Sequence, residues 1–203
     1  PLVEKNGYRV GTICIIDNKP REFSAADTRA LVDLAAIVMG ELSAVDLAIK
    51  DELTQVYNRR GFELLAAQAL KVSGRLQQKA ALLYFDLDHF KQLNDTYGHA
   101  MGDSALKFFA SCVKVIARDS DIFARVGGDE FILFMLDADA EDAKNCAKRL
   151  MAGLYEFNEL PERLSYSVGI SIFDPKSPRT LSELVASSDA AMYECKNAEK
   201  GNF

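Results

Sequence analysis

Hydrophobic and polar positions divide the chain into segments of recognisable period. Residues 8 to 17, "YRVGTICIID", are rich in β-branched side chains around one glycine, which predicts a strand. The turn "NKPREFS" follows. Ser24 stands where a helix cap belongs, and Asp27 suits the positive end of a helix. From Ala25 the period is helical for a long way. Ala35, Val38, Leu42, Val45 and Ile49 recur at spacings of three and four, a short heptad seam. Such a seam is either the buried face of an amphipathic helix or the contact line of a dimeric stalk.

Asp51 opens a second stretch, "DELTQVYNRRGF", in which Asn58 is placed to cap a helix over "RRGFELLAAQAL". Residues 80 to 85, "AALLYF", form a continuous apolar run that stops at Asp86, the pattern of a strand covered on both faces. "DLDHFKQLNDTYGHAMGD" is polar with short helical character, and a helix is expected from Ala105 to Arg118. Two apolar runs around "RVGGDEF" predict an antiparallel hairpin. Residues 139 to 158 read as a helix, "LSYSVGISIF" as a strand, and Thr180 to Asn197 as the last helix. Strands alternating with helices around an antiparallel hairpin predict an α/β (α+β) fold, a mixed central sheet flanked by helices.

Bulk composition narrows the function classes. The chain has 203 residues, 49% hydrophobic and 27% charged, with net charge −6. An acidic surface argues against binding a nucleic acid polymer, and leaves room for a small phosphorylated ligand. The four cysteines form no CxxC pair and read as small buried hydrophobes of a reducing compartment. No apolar run approaches the roughly 20 residues that span a bilayer. A chain that opens on Pro1 and runs directly into strand-like sequence is expected to be an excerpt of a longer cytoplasmic protein.

The candidate chemistry lies at the strand ends. Asp86 terminates a rigid strand; alone, an acid there is as well explained as the start of a turn. In the hairpin, Gly127 and Gly128 are expected to supply the positive φ angles of a two-residue turn, and Gly128 to leave backbone N–H groups open to a ligand. Asp129 and Glu130 follow. If the hairpin pairs beside the Asp86 strand, Asp86 and Asp129 converge. Two carboxylates and a backbone carbonyl hold Mg²⁺ when phosphate and water complete the octahedron, an arrangement suited to phosphoryl or nucleotidyl transfer. Lys91, five residues after Asp86, is in reach of a phosphate. Asn94 and Asp103 could read guanine, whose N1 and N2 donors suit a carboxylate. Lys196 and Lys200, four apart on the last helix, form a cationic face.

These motifs together resemble the GGDEF domain of diguanylate cyclases. The resemblance runs from Asp51 to the C-terminus through "DELTQVYNRRGF", "DLDHFKQLNDTYGHAMGD", "ARVGGDEF", "SVGIS" and "DAAMYECK". It implies a palm fold like that of adenylyl cyclases. It further implies condensation of two GTP into cyclic di-GMP and two pyrophosphates, with Mg²⁺ or Mn²⁺, by a homodimer of facing half-sites. By resemblance, Asp86, the Leu87 carbonyl and Asp129 are metal ligands. Asn94, Asp103, His99 and Leu106 line the guanine pocket. Gly128, Lys91, Lys196 and Lys200 serve the phosphates, and Asp129 or Glu130 takes the proton from the attacking hydroxyl. Arg118 and Asp121 match the family's inhibitory RxxD product site, with Arg149 as a further cation. The same motifs would also serve an inactive domain that acts as a receptor for cyclic di-GMP or GTP.

The chain departs from the family's pattern in two places. Gln55 stands where a glycine is usual, and "KNAEKGN" replaces "KxxGRN", with Glu199 for Gly, Lys200 for Arg and Gly201 for Asn. Residues 1 to 45 resemble the closing third of a GAF sensor domain with a connecting helix. The cyclase domain is expected over residues 46 to 203, with residues 46 to 52 as a helical linker.

Overall fold

The computed structural model describes residues 1–3, 7–20, 22–156 and 160–200, without the side chains of Val45, Ala198, Glu199 and Lys200. The chain forms two compact units, Pro1–Ala48 and Ile49–Phe203.

In the first unit, β1 (Leu2–Val3) pairs antiparallel with β2 (Arg9–Gly11), and α1 (Ala25–Ile49) follows. Ser24 and Asp27 cap α1 reciprocally: the Ser24 N–H donates to the Asp27 carboxylate at 3.0 Å, and the Asp27 N–H to Ser24 Oγ at 3.2 Å. The strand expected over residues 8 to 17 is much shorter. Only residues 9–11 join a ladder, because no second strand lies beside residues 12–17 among the described residues to bond their backbone groups.

The second unit is built on a mixed sheet. Its elements are β3 (Tyr57–Asn58), α2 (Arg59–Leu76), β4 (Ala80–Leu87), α3 (Phe90–Tyr97), α4 (His99–Ile116), β5 (Ile122–Arg125), β6 (Glu130–Leu136), α5 (Ala140–Glu156), β7 (Tyr166–Phe173) and α6 (Leu181–Lys200). Among the described residues the strand order is β3-β5-β6-β4-β7. β3 and β5 run parallel, and the other neighbours run antiparallel. Asn58 caps α2 by accepting the Gly61 N–H at 2.9 Å. Helix α4 begins at His99, six residues earlier than its apolar period suggests. In its first six residues only Met101 packs on the core and Gly102 is buried without a side chain, so hydrophobic spacing does not reveal them.

Alternation along β4 feeds two cores. Ala81, Leu83, Phe85 and Leu87 pack toward α3, α4 and α5 with Phe109, Phe131 and Leu150. Ala80, Leu82 and Tyr84 pack toward α2 and α6 with Phe62, Phe134 and Met192. Gly169 of β7 lies directly beneath the α6 backbone. A Cβ there would collide with Ser188 and Met192, so this glycine allows the close helix–sheet approach that sets the height of α6.

Candidate active site

β4 and β6 pair with Ala80 opposite Leu136, and that register brings Asp86 opposite Glu130 at the other end. One further bond closes the ladder, from the Leu87 N–H to the Asp129 carbonyl at 3.2 Å. The convergence of Asp86 and Asp129 therefore follows from strand pairing. Burial raises the Asp129 pKa, and the negative charge of Asp86 raises it further. The Lys196 ammonium, delivered by α6, is ion-paired with the Asp86 carboxylate. Asp88 joins the same charged cluster, where its carboxylate accepts the Ser167 hydroxyl at 2.8 Å.

Glu130 has different neighbours. Its carboxylate interacts with the Tyr84 hydroxyl, and together with burial, the leading cause, it pushes the Tyr84 pKa well up. Asp189 and Arg59 also lie in the field of Tyr84. The two acids of the hairpin thus face separate surroundings.

The hairpin turn differs from expectation. Neither Gly127 nor Gly128 has a positive φ. The loop is longer than two residues: Val126 N–H bonds to the Glu130 carbonyl at 2.9 Å, leaving Gly127, Gly128 and Asp129 in the tip. At Gly127 a Cβ would meet the Glu130 carboxylate and displace it from its present position, whereas Gly128 faces open space. The tip is held from two sides. Arg125 donates to the Gly128 carbonyl through Nε (3.1 Å) and a terminal nitrogen (2.7 Å), and to Asp51 at 3.2 and 3.3 Å. Arg59 donates to the Val126 carbonyl at 3.1 and 2.7 Å. Asp51 in turn accepts the Thr54 N–H and hydroxyl at 2.9 and 2.6 Å.

Arg125, Arg59, Asp51, Tyr84 and Asp88 were not singled out by sequence reasoning. Arg125 carried a usable signal, an arginine immediately flanking an acidic turn, but its partner lies 74 positions away.

At the α3–α4 corner, the Asn94 side chain packs directly on Gly102, where a Cβ would overlap the amide oxygen. This places Asn94 beside Asp103, which is exposed on the same turn of α4. His99, the first residue of α4, and Lys91, in the first turn of α3, are also exposed. Leu106 is 2% exposed and belongs to the core beneath them. The Lys200 side chain and the Glu199 and Gly201 departures lie outside the described residues.

The RxxD residues form a tight turn. The Asp121 carboxylate accepts the Arg118 N–H at 2.9 Å and the Leu136 N–H at 3.3 Å. Arg118 and Asp121 line one cavity, whereas Arg149 lines another, between α4 and α5. All three charges act on Cys146, so the cluster is local even though it opens two ways.

The donor set fits a hard divalent cation. Among the described residues no group of three acidic, imidazole or thiol side chains forms a metal cage. Asp86 and Asp129 are two facing carboxylates, and a hard cation such as Mg²⁺ held by two carboxylates takes its remaining ligands from carbonyl, phosphate and water oxygens. Lys196 shows that the acid pair accommodates a positive charge. No helix among the described residues is long and apolar enough to cross a membrane.

The family model "Diguanylate cyclase, GGDEF domain" matches residues 48–202. Among curated proteins, the chain is 32% identical over 183 residues to the bifunctional diguanylate cyclase/cyclic di-GMP phosphodiesterase MucR of Pseudomonas aeruginosa, covering 89% of this chain and 27% of MucR. It is 35% identical to the probable diguanylate cyclase DgcE of Escherichia coli, covering 76% of this chain and 14% of DgcE. The chain therefore spans well under a third of these relatives' length. Among solved structures, the GGDEF domain of TpbB (YfiN) from Pseudomonas aeruginosa aligns with TM-score 0.69 at 33% identity, covering 73% of this chain and 89% of that one. The coiled coil and GGDEF domain of DgcB from Caulobacter crescentus, in complex with c-di-GMP, aligns with TM-score 0.71 at 26% identity, covering 85% and 92%.

Proposed function

This chain belongs to the GGDEF diguanylate cyclase family, and from that premise we propose that it condenses two GTP into cyclic di-GMP and two pyrophosphates. The observation that carries the reading is the register of β4 on β6, which sets Asp86, Asp129 and Glu130 around one sheet end beside Lys196.

Each protomer binds one GTP. Asn94 and Asp103 read the guanine edge, with His99 close by and Leu106 supporting the pocket from below. Lys91, Lys196 and Lys200 hold phosphate charge, and the Gly128 backbone gives close access. Asp86, Asp129 and the Leu87 carbonyl would hold a Mg²⁺ or Mn²⁺ ion, which would supply polarisation of the phosphoryl oxygens. Lys196 leaves Asp86 for the incoming phosphates, so one cation is exchanged for another at that carboxylate.

Two protomers face each other across their GTP molecules. The 3′-oxygen of one GTP bonds to the α-phosphorus of the other, and the bond to pyrophosphate breaks. Asp129 or Glu130 of this chain takes the hydroxyl proton. A second identical step closes the ring. Arg118 and Asp121, with Arg149, bind the product and slow the reaction. Residues 1 to 45 belong to a GAF sensor in this reading, and the seam of α1 brings the protomers together.

Incubation of the purified chain with GTP and MgCl₂, followed by mass spectrometry, tests the reading. Cyclic di-GMP is the expected product, and Asp129→Ala and Glu130→Ala each abolish it while circular dichroism stays unchanged. GTP bound without turnover at high protein concentration would sink the cyclase reading and leave a receptor.

A further inference from the structure

Tyr84 lies on β4 two residues before Asp86, and opposite Ile132 of β6. Residues opposite each other in an antiparallel pair share a face, and so do residues two apart along a strand. Tyr84, Asp86 and Glu130 therefore stand on one face of the sheet, the face that carries α2 and α6. Tyr84 and Glu130 are diagonal neighbours, a separation of about 7–8 Å that a long aromatic side chain can bridge. The Tyr84 hydroxyl interacts with the Glu130 carboxylate across it. Burial, and next the Glu130 charge, raise the Tyr84 pKa, so the phenol keeps its proton and is the donor.

The ring has a fixed seat. Tyr84 is 6% exposed and packs with Phe62, Ile132, Phe134 and Met192. The Glu130 carboxylate also lies against Gly127, whose missing side chain leaves it room. Glu130 differs from the nearby acids in what holds it. Asp86 is ion-paired with Lys196 and Asp51 with Arg125, whereas no cation pairs with Glu130 among the described residues. A neutral phenol fixes a carboxylate without cancelling its charge, so an oxygen stays able to accept a proton.

We propose that Tyr84 is a positioning residue of the cyclase reaction, aiming the Glu130 carboxylate at the attacking 3′-hydroxyl. The inference rests on the cyclase reading above and assigns the proton to Glu130, leaving Asp129 with Asp86 for the metal. In that step the 3′-oxygen bonds to the α-phosphorus of the facing GTP, and its proton passes to Glu130. The bond to pyrophosphate breaks with its electron pair on the leaving oxygen. Tyr84 acts through Glu130 alone. A donor anchored on a rigid strand keeps the acid within the narrow range of geometry that such a transfer needs.

Steady-state kinetics of cyclic di-GMP formation by the full chain test this with Tyr84→Phe, Glu130→Asp and the double variant. Tyr84→Phe removes the hydroxyl and keeps the ring. It is expected to lower kcat about tenfold, part of the roughly 10²–10⁴-fold that a positioned base supplies, with KM for GTP and melting temperature unchanged. Glu130→Asp draws the carboxylate back from the phenol, so adding Tyr84→Phe to it is expected to lower kcat no further. Wild-type kcat in Tyr84→Phe, or a change confined to KM, overturns the inference and leaves the cyclase reading standing. An equal loss in the Glu130→Asp background shows that Tyr84 does not act through Glu130 and overturns it too. A fall in melting temperature large enough to account for the lost activity does the same. If Glu130→Asp gives no measurable product, the kcat and KM of Tyr84→Phe decide. No product from the wild type overturns the cyclase reading and this inference with it.

Discussion

The Lys196 ammonium rests on the Asp86 carboxylate, joining two residues 110 positions apart. Asp86 is the penultimate residue of the buried strand β4, and Lys196 sits near the end of the last helix. The pair couples the charge of the acid cluster to the position of α6. Removing the lysine leaves Asp86 and Asp129 facing each other without it. Lys196→Met should lower the melting temperature in metal-free buffer by a few degrees, corresponding to about 1–3 kcal/mol for a partly buried pair. Added MgCl₂ should then raise it more than in the wild type. Scanning calorimetry with and without MgCl₂ checks this, and equal magnesium shifts in both proteins would refute the exchange of cations.

Asp51 gives the fold a defined pH response. Burial alone would raise its pKa, but the Thr54 hydrogen bonds and the Arg125 charge outweigh it and hold the carboxyl below the usual aspartate range. A depressed folded pKa means that the stabilisation is fully present above the unfolded value of about 3.9 and disappears as pH falls through the folded pKa. Urea midpoints of Asp51→Asn and wild type should therefore differ at pH 6 and converge as pH drops below about 4. A gap independent of pH would show that the ionised carboxylate is not the stabilising form.

Gln55 adopts φ +56°, the left-handed region. A side chain there costs roughly 1–2 kcal/mol, which explains why the family's usual glycine suits this position. The Gln55 side chain offsets part of that by donating to the Glu52 carbonyl at 2.8 Å. Gln55→Gly should stabilise the protein by about 0.5–1 kcal/mol after the larger chain entropy of glycine is counted. Chemical denaturation reads the change directly, and a destabilised variant would contradict the strain.

Gly102 gives a test of the proposed guanine pocket that leaves the fold in place. Gly→Ala in a helix ordinarily stabilises by about 0.5–1 kcal/mol. Here the new Cβ displaces the Asn94 amide. Gly102→Ala should retain its melting temperature within a few degrees yet raise KM for GTP about tenfold. An unchanged KM would remove Asn94 from the guanine pocket.

Local pattern and sequence motifs determined much of this protein. Periodicity placed α2, α5, α6, β4 and β7 of the second unit within a few residues, because side-chain direction along one element depends only on its own repeat, whereas it missed the first six residues of α4 and the short β3. The "DLD" and "GGDEF" segments marked the acids at strand ends, and Ser24 and Asn58 marked helix starts. Tertiary structure decided the rest. The sheet order and the β4–β6 register set which acids meet, and nothing within either strand encodes its partner. The clamp of Arg125 on Asp51 and Gly128, and the seat of Lys196 on Asp86, join segments far apart in sequence, so their contacts exist only once the layers pack. The turn itself was misread for the same reason: at Gly127 the Glu130 carboxylate folds against the backbone, a contact that no dihedral preference in the sequence expresses.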